Sequence, residues 1–308
     1  MIEVVQEYKT KDGLGAMMWK KIYAMSYAYK YKLPFKDIPI DGFLVHPSDG
    51  VVNEVQYKEL SRKFNTLLYN PWSHIDFDSF EWTLYKGVGN GKQGPGFSDH
   101  FDFLLEAPVF NRLKHDHNNN ITIHIRRGNV IQENPRYTEE DFYINVLSQI
   151  DKIVEKLRLV NHKVYIVTDA PDHATRYKPL EWLVDDQRCM WGQPHLYPDE
   201  NGTYEVTSLK WDRLKKTYPD VTILNNLDPY SSYKFLINSK VLIPAYSSFS
   251  QGAGLLSHNY VFSLPTKHGM DYQMNLFRNS IGSIEEDGTI YIKDLRQRRK
   301  FTLAKYAK

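Results

Sequence analysis

Short β-branched runs that stop at polar or charged residues alternate with longer helical stretches through the second half of this chain. Ile121-Thr-Ile-His-Ile125, Lys163-Val-Tyr-Ile-Val-Thr168, Val221-Thr-Ile-Leu224 and Lys240-Val-Leu-Ile243 read as strands. Thr138-Glu-Glu-Asp141 reads as a capping box opening a helix that runs to about Leu157, and a second helix is expected from Pro229 to Ser239. Parallel strands need a crossover to return to the same end of a sheet, so this alternation predicts an α/β fold with a parallel, doubly wound sheet. Such sheets bind ligands outside the carboxyl ends of their strands. The residues at the exit of each run therefore matter most.

The first run delivers His124, Arg126 and Arg127 into a Gly128-Asn129 turn. Side chains two apart share a strand face, so His124 and Arg126 can reach one ligand, while Arg127 points elsewhere or swings round in the turn. Adjacent guanidiniums repel unless something negative lies between or beside them, and phosphate matches their rigid donor fork. The cationic cluster is thus expected to form an anion site. The other reading is one surface arginine and one structural salt bridge.

The last run opens into Ala245-Tyr-Ser-Ser-Phe-Ser250 and then a helix. The first amides of a helix lack internal partners and carry the positive end of its dipole. Ser247, Ser248 and the neighbouring amides can hold a phosphate there, or the serines can serve as plain N-caps. Thr168-Asp169 ends the second run, where Asp169 meets a ribose or sugar hydroxyl or caps the next helix. Near the start, Gly13 and Gly15 in Asp12-Gly-Leu-Gly15 allow close approach of a ligand or of a neighbouring strand. The glycine-rich stretch from Gly87 to Gly96 carries Lys92, without Walker spacing, and reads as a flexible connection or a phosphate flap.

At 308 residues the chain is about twice a common domain length, which favours two domains. The polar break His115-Asp-His-Asn-Asn-Asn120 sets the boundary. An N-terminal α/β domain is expected over 1–118 and a Rossmann-like domain over 119–262, with 263–308 a C-terminal segment packing back on the first domain. The His-Asp-His alternation lacks further ligands at recognisable spacing, so no metal is assigned. A formal charge of +2 argues against general nucleic-acid binding. Cys189 is the single cysteine, which excludes an internal disulfide and fits a reducing, cytoplasmic compartment. The first residues contain acids rather than a signal-peptide pattern, and no apolar run approaches a membrane span, so a soluble protein is expected.

His124-Ile-Arg-Arg-Gly-Asn129 resembles the His-x-Arg-Arg-x-Asp type motif of the superfamily that contains α-1,2-, α-1,6- and protein O-fucosyltransferases. Asp12-Gly-Leu-Gly15 with its helix resembles that family's N-terminal glycine turn, Tyr165-Ile-Val-Thr-Asp169 its middle strand motif, and Ser247-Ser-Phe-Ser250 its late motif. The pieces stand in the family's order across roughly residues 12 to 260. The resemblance implies a GT-B glycosyltransferase with two Rossmann-like domains facing across a cleft, an inverting reaction, GDP-fucose as donor, a glycan or glycoconjugate hydroxyl as acceptor, and no metal cofactor.

By motif position Arg126 would bind the β-phosphate, His124 would lie near the nucleotide, and Arg127 would shape or charge the site. Ser247 and Ser248 would bind diphosphate oxygens, Phe249 would pack beside the nucleotide, Asp169 would orient donor hydroxyls, and Gly13 and Gly15 would border the donor. Arg126 and Arg127 are the expected catalytic pair.

Two departures limit the match. Asn129 stands where the family often has an acid, and Gln251-Gly-Ala-Gly254 lacks the tryptophans common in α-1,2 enzymes. Another nucleotide sugar such as UDP-xylose, or a noncatalytic carbohydrate-binding or scaffold role on the same fold, remain the alternatives. Glu133, Asp99 and Asp102 are carboxylates available as a base, and none is singled out. Trp72, Trp82 and Tyr85 stack on acceptor sugars or fill a core, and the basic tail Arg296-Gln-Arg-Arg-Lys300 is solvated or meets an acidic surface.

Overall fold

The computed structural model describes residues 118–127, 136–170, 208–225, 227–257, 259–265 and 280–293, with short pieces at 4–5, 15, 34–36, 58–59, 62–63, 175–177 and 204–206. In chain order the strands are β1 (Val4–Val5), β2 (Phe35–Lys36), β3 (Ile121–Ile125), β4 (Val164–Thr168), β5 (Thr175–Tyr177) and β6 (Tyr204–Val206). They continue with β7 (Thr222–Asn225), β8 (Val241–Ile243), β9 (Tyr260–Ser263), β10 (Ser280–Ile284) and β11 (Ile290–Ile292). The helices described in full are α1 (Glu140–Ser148), α2 (Ile150–Leu157), α3 (Trp211–Thr217), α4 (Pro229–Asn238) and α5 (Ser248–Leu256).

Seven strands form one sheet in the order β11-β10-β9-β8-β3-β4-β7. Every pairing in it is parallel except the β10-β11 hairpin. The expected α/β class with a mostly parallel sheet is what the chain adopts. β1 pairs with β2 in parallel and β5 with β6 in antiparallel fashion, as two separate ribbons.

The chain leaves β3 toward β4 and β7, then returns through α4 to β8, on the other side of β3, and continues to β9 and β10. The strand order therefore reverses between β3 and β8. In an open α/β sheet the loops on either side of such a reversal part and leave a crevice at the carboxyl ends. Arg126 comes just after β3 and Ser247 just after β8, so both motifs lie at that crevice.

Strand alternation decides which helices each face meets. Ile121, Ile123, Ile125, Val164, Ile166, Val241 and Ile243 pack in the core that holds Phe142, Tyr143, Val146, Leu147, Ile150 and Ile153 of α1 and α2. The three isoleucines of β3 are fully buried, each contributing roughly 1.5–3 kcal/mol from apolar burial. On the opposite face Thr122 Oγ1 meets Ser239 Oγ at the end of α4, a buried hydroxyl pair at 2.5 Å. Tyr165 packs edge-on against Phe235 of α4 on that face as well. With both faces covered, the strands read as near-continuous apolar runs, and that is how the sequence presents them.

Three expectations change. No side chain caps α1: the N-cap is Glu139, and Thr138 is buried, its carbonyl serving Arg127 instead. The single helix expected to Leu157 breaks at Gln149, whose side chain donates to the Gly288 carbonyl and accepts from the Ile290 amide at the β10-β11 hairpin. Gly288 sits there at φ +88, a conformation that favours glycine, with its backbone against the Phe142 carbonyl. The sheet also continues beyond residue 262: β10 pairs with β9 and carries β11, so Ser280–Ile284 and Ile290–Ile292 are strands of the same sheet. Ser280-Ile-Gly-Ser-Ile284 hides this because its serines and glycine dilute the strand signal.

Candidate functional site

Three strand ends and one glycine meet at the reversal point. Along β3 the residues Thr122, His124 and Arg126 project on the α4/α5 side, and each meets a different part of that layer. Thr122 bonds Ser239, the His124 ring lies 5.9 Å from the Phe249 ring, and Arg126 Nη1 donates to Ser247 Oγ at 3.0 Å. Two motifs that stand 121 residues apart in sequence thus close on one another across the sheet's reversal point.

Ser247 is fully buried and takes the N-cap role read from the sequence. It is the N-cap of α5, its hydroxyl accepting from the Phe249 amide at 3.3 Å, while the same oxygen accepts from Arg126. Ser250 closes the junction from behind, its hydroxyl accepting from the Ala245 amide at 3.0 Å. Ser248 and Phe249 are half-buried at the first turn of α5. The Phe249 ring packs edge-on against buried Tyr233 of α4, centroids 5.0 Å apart.

Gly15 also lies at this place. It is buried against the first turn of α5, so close that a Cβ there would lie 2.7 Å from Phe249 Cα and 2.8 Å from the Ser248 carbonyl carbon. Only a residue without a side chain fits between the two backbones.

The two arginines part company. Arg126 is half-buried at the crevice, whereas Arg127 is 1% exposed and turns into the protein. Its Nη1 donates to the Arg126 carbonyl at 3.0 Å and its Nη2 to the Thr138 carbonyl at 2.8 Å, with the guanidinium 4.1 Å from the centre of the Tyr137 ring. Asp169 has an engagement that neither sequence reading anticipated. One carboxylate oxygen accepts the Arg127 backbone N–H at 2.6 Å.

His124 is no cation, contrary to the cationic cluster read from the sequence. Burial pushes its imidazole pKa down to about 4, with the positive charge of Arg126 acting in the same direction and the carboxylate of Asp169 against it. Its Nδ1 is buried without a hydrogen-bond partner. Because the folded form resists protonation, His124 weakens folding in acid. The unfolded chain takes up a proton below about pH 6.5 that the folded chain refuses until about pH 4, so stability falls across that window and levels off beneath it. Between pH 7.5 and pH 5 the loss attributable to this residue is about 2 kcal/mol. Urea unfolding of the wild type and of His124→Gln at both pH values should show the variant losing about that much less; equal losses would contradict a neutral buried imidazole.

Of the residues expected at the site, Gly15, His124, Arg126, Asp169, Ser247, Ser248 and Phe249 are brought together, and Arg127 stands behind them. Gly13, Lys92, Asp99, Asp102, Asn129, Glu133, Trp72, Trp82, Tyr85, Cys189 and the basic tail lie outside the described residues. Tyr137, Thr138 and Tyr233 support the site and carry no signal in the sequence that marks them for it. Among the described residues no group of three or more His, Cys, Asp or Glu side chains is placed to hold a metal, and no helix is long and apolar enough to cross a membrane.

No protein-family model matches the chain, and no curated protein matches it. Among solved structures it is similar to the Escherichia coli heptosyltransferase WaaC with ADP, at 11% identity and a TM-score of 0.29, over 67% of this chain and 48% of that one. The chain thus spans about half the length of that heptosyltransferase. It is also similar to the α-1,6-fucosyltransferase NodZ soaked with GDP-fucose, at 12% identity and a TM-score of 0.33, and to NodZ from Bradyrhizobium, at 13% and 0.34. Both NodZ matches cover 95% of this chain and 98% of the other.

Proposed function

We propose that this chain is a GT-B glycosyltransferase that moves L-fucose from GDP-fucose to a glycan hydroxyl with inversion and without a metal. The observation that supports the reading is the contact between Arg126 and Ser247 at the point where the strand order reverses. Breaking a sugar-phosphate bond leaves negative charge on the departing diphosphate, which needs fixed donors rather than mobile water. A half-buried guanidinium beside the first turn of a helix is such a donor set, and the helix dipole adds to it. Arg126 would take the β-phosphate, and Ser247, Ser248 and the first amides of α5 the remaining oxygens. Neutral His124 and the ring of Phe249 would form the apolar side of the donor pocket, with Gly15 at its edge.

The test is a thermal-shift panel of GDP, UDP, GDP-fucose and UDP-sugars, then product analysis with glycan acceptors. Stabilisation by GDP and GDP-fucose, with fucose appearing on an acceptor in inverted configuration, is the expected result. Stabilisation by UDP alone would replace the donor, and no stabilisation by any nucleoside diphosphate would end the transferase reading.

A further inference from the structure

The peptide group that joins Arg126 to Arg127 is held at both of its polar atoms. Its carbonyl, on Arg126, accepts from Arg127 Nη1 at 3.0 Å, and its N–H, on Arg127, donates to Asp169 Oδ1 at 2.6 Å. The guanidinium that grips the carbonyl is itself anchored, through Nη2 to the Thr138 carbonyl ahead of α1 and through its face to Tyr137. Asp169 is anchored differently, at the end of β4, whose register against β3 pairs Thr168 with Ile125. One peptide is therefore clamped between the neighbouring strand and the entry of the crossover helix.

This clamp lies immediately after the Cα of Arg126. Rotation of that peptide would swing the Arg126 side chain off the line that takes Nη1 to Ser247. A long, flexible side chain reaches a fixed point cheaply only if its backbone root is fixed. Charge-assisted hydrogen bonds of the kind Asp169 makes are the stronger class, and the buried Arg127 guanidinium uses Nη1 and Nη2 to hold the peptide and the Thr138 carbonyl, while its Nε is buried without a partner.

We infer that Asp169 and Arg127 are positioning residues: they lock the Arg126–Arg127 peptide and thereby aim the Arg126 guanidinium into the crevice, without themselves touching the diphosphate. The inference rests on the diphosphate site proposed above. It departs from the sequence reading, which put Arg127 in the catalytic pair and Asp169 on donor hydroxyls.

The test is a double-mutant cycle on the full chain, with calorimetric binding of GDP and of inorganic pyrophosphate. Asp169→Ala should weaken both by about 10- to 100-fold, the worth of a hydrogen bond to a charged group. Asp169→Asn keeps an oxygen acceptor for the Arg127 amide and should restore affinity to within about threefold. In an Arg126→Ala background, Asp169→Ala should cost nothing further, because the residue acts through Arg126. Additive losses, or failure of the asparagine to rescue, would overturn the inference, since both indicate direct contact with ligand. If the wild type binds neither probe, the diphosphate reading fails, and the clamp is judged alone by hydrogen exchange of the Arg127 amide. Slow exchange in the wild type and the asparagine variant with fast exchange in the alanine variant upholds the clamp; fast exchange in the wild type removes it.

Discussion

Arg126→Ala is expected to lower the proposed fucosyl transfer by about 10²- to 10³-fold, the usual consequence of removing one preorganised donor from a leaving-group site. That magnitude reflects where the charge sits. Arg126 is half-buried beside a helix N-terminus, so its field is less screened by water than that of a surface arginine. It is also held in place, because its Nη1 donates to Ser247 Oγ at 3.0 Å. Arg126→Lys should recover only part of the rate, since an ammonium keeps the charge and loses the planar fork. The single-turnover rate with GDP-fucose and the GDP affinity of each variant check this. Near-normal turnover in both variants would remove Arg126 from the reaction, whatever else the crevice binds.

The parts of this arrangement that were legible in the sequence are those written in local pattern. Strand runs such as Ile121–Ile125 and Val164–Thr168 are covered on both faces, so apolarity marks them directly. The strand period left Arg127 either pointing away from Arg126 or swinging round in the turn, and the structure has it turned into the protein. What local pattern cannot report is partnership. Thr138 looks like the first residue of a capping box, yet its carbonyl is taken by Arg127, which lies 11 positions earlier. His124 looks like a cation until burial among α4 and α5 is known, because protonation depends on solvent access rather than on neighbours in sequence. β10 is diluted by Ser280, Gly282 and Ser283, and only its pairing with β9 reveals it as sheet. Asp169 was legible as an acid at a strand end, whereas its attachment to the Arg127 amide depends on the parallel register of β3 and β4.

Gly15→Ala should disable the site from the opposite side, although it removes no polar group. A methyl at this position would lie 2.7 Å from Phe249 Cα and 2.8 Å from the Ser248 carbonyl carbon. Both are backbone atoms at the start of a helix, so no rotamer change relieves the overlap, and either α5 or the Gly15 segment must move. Its φ lies outside the left-handed region, so the effect is contact rather than backbone strain. Overpacking of this kind costs roughly 1–3 kcal/mol. The first turn of α5 carries the Ser247 hydroxyl that Arg126 grips, so a shift there separates the two halves of the proposed diphosphate site. GDP affinity should therefore fall by roughly tenfold or more, and the midpoint of thermal unfolding should drop as well. Gly15→Val should be worse on both counts, because it adds two more carbons to the same gap. If Gly15→Ala bound GDP and unfolded like the wild type, the glycine would not be packed against the serine junction, and the donor pocket would have to be drawn without it.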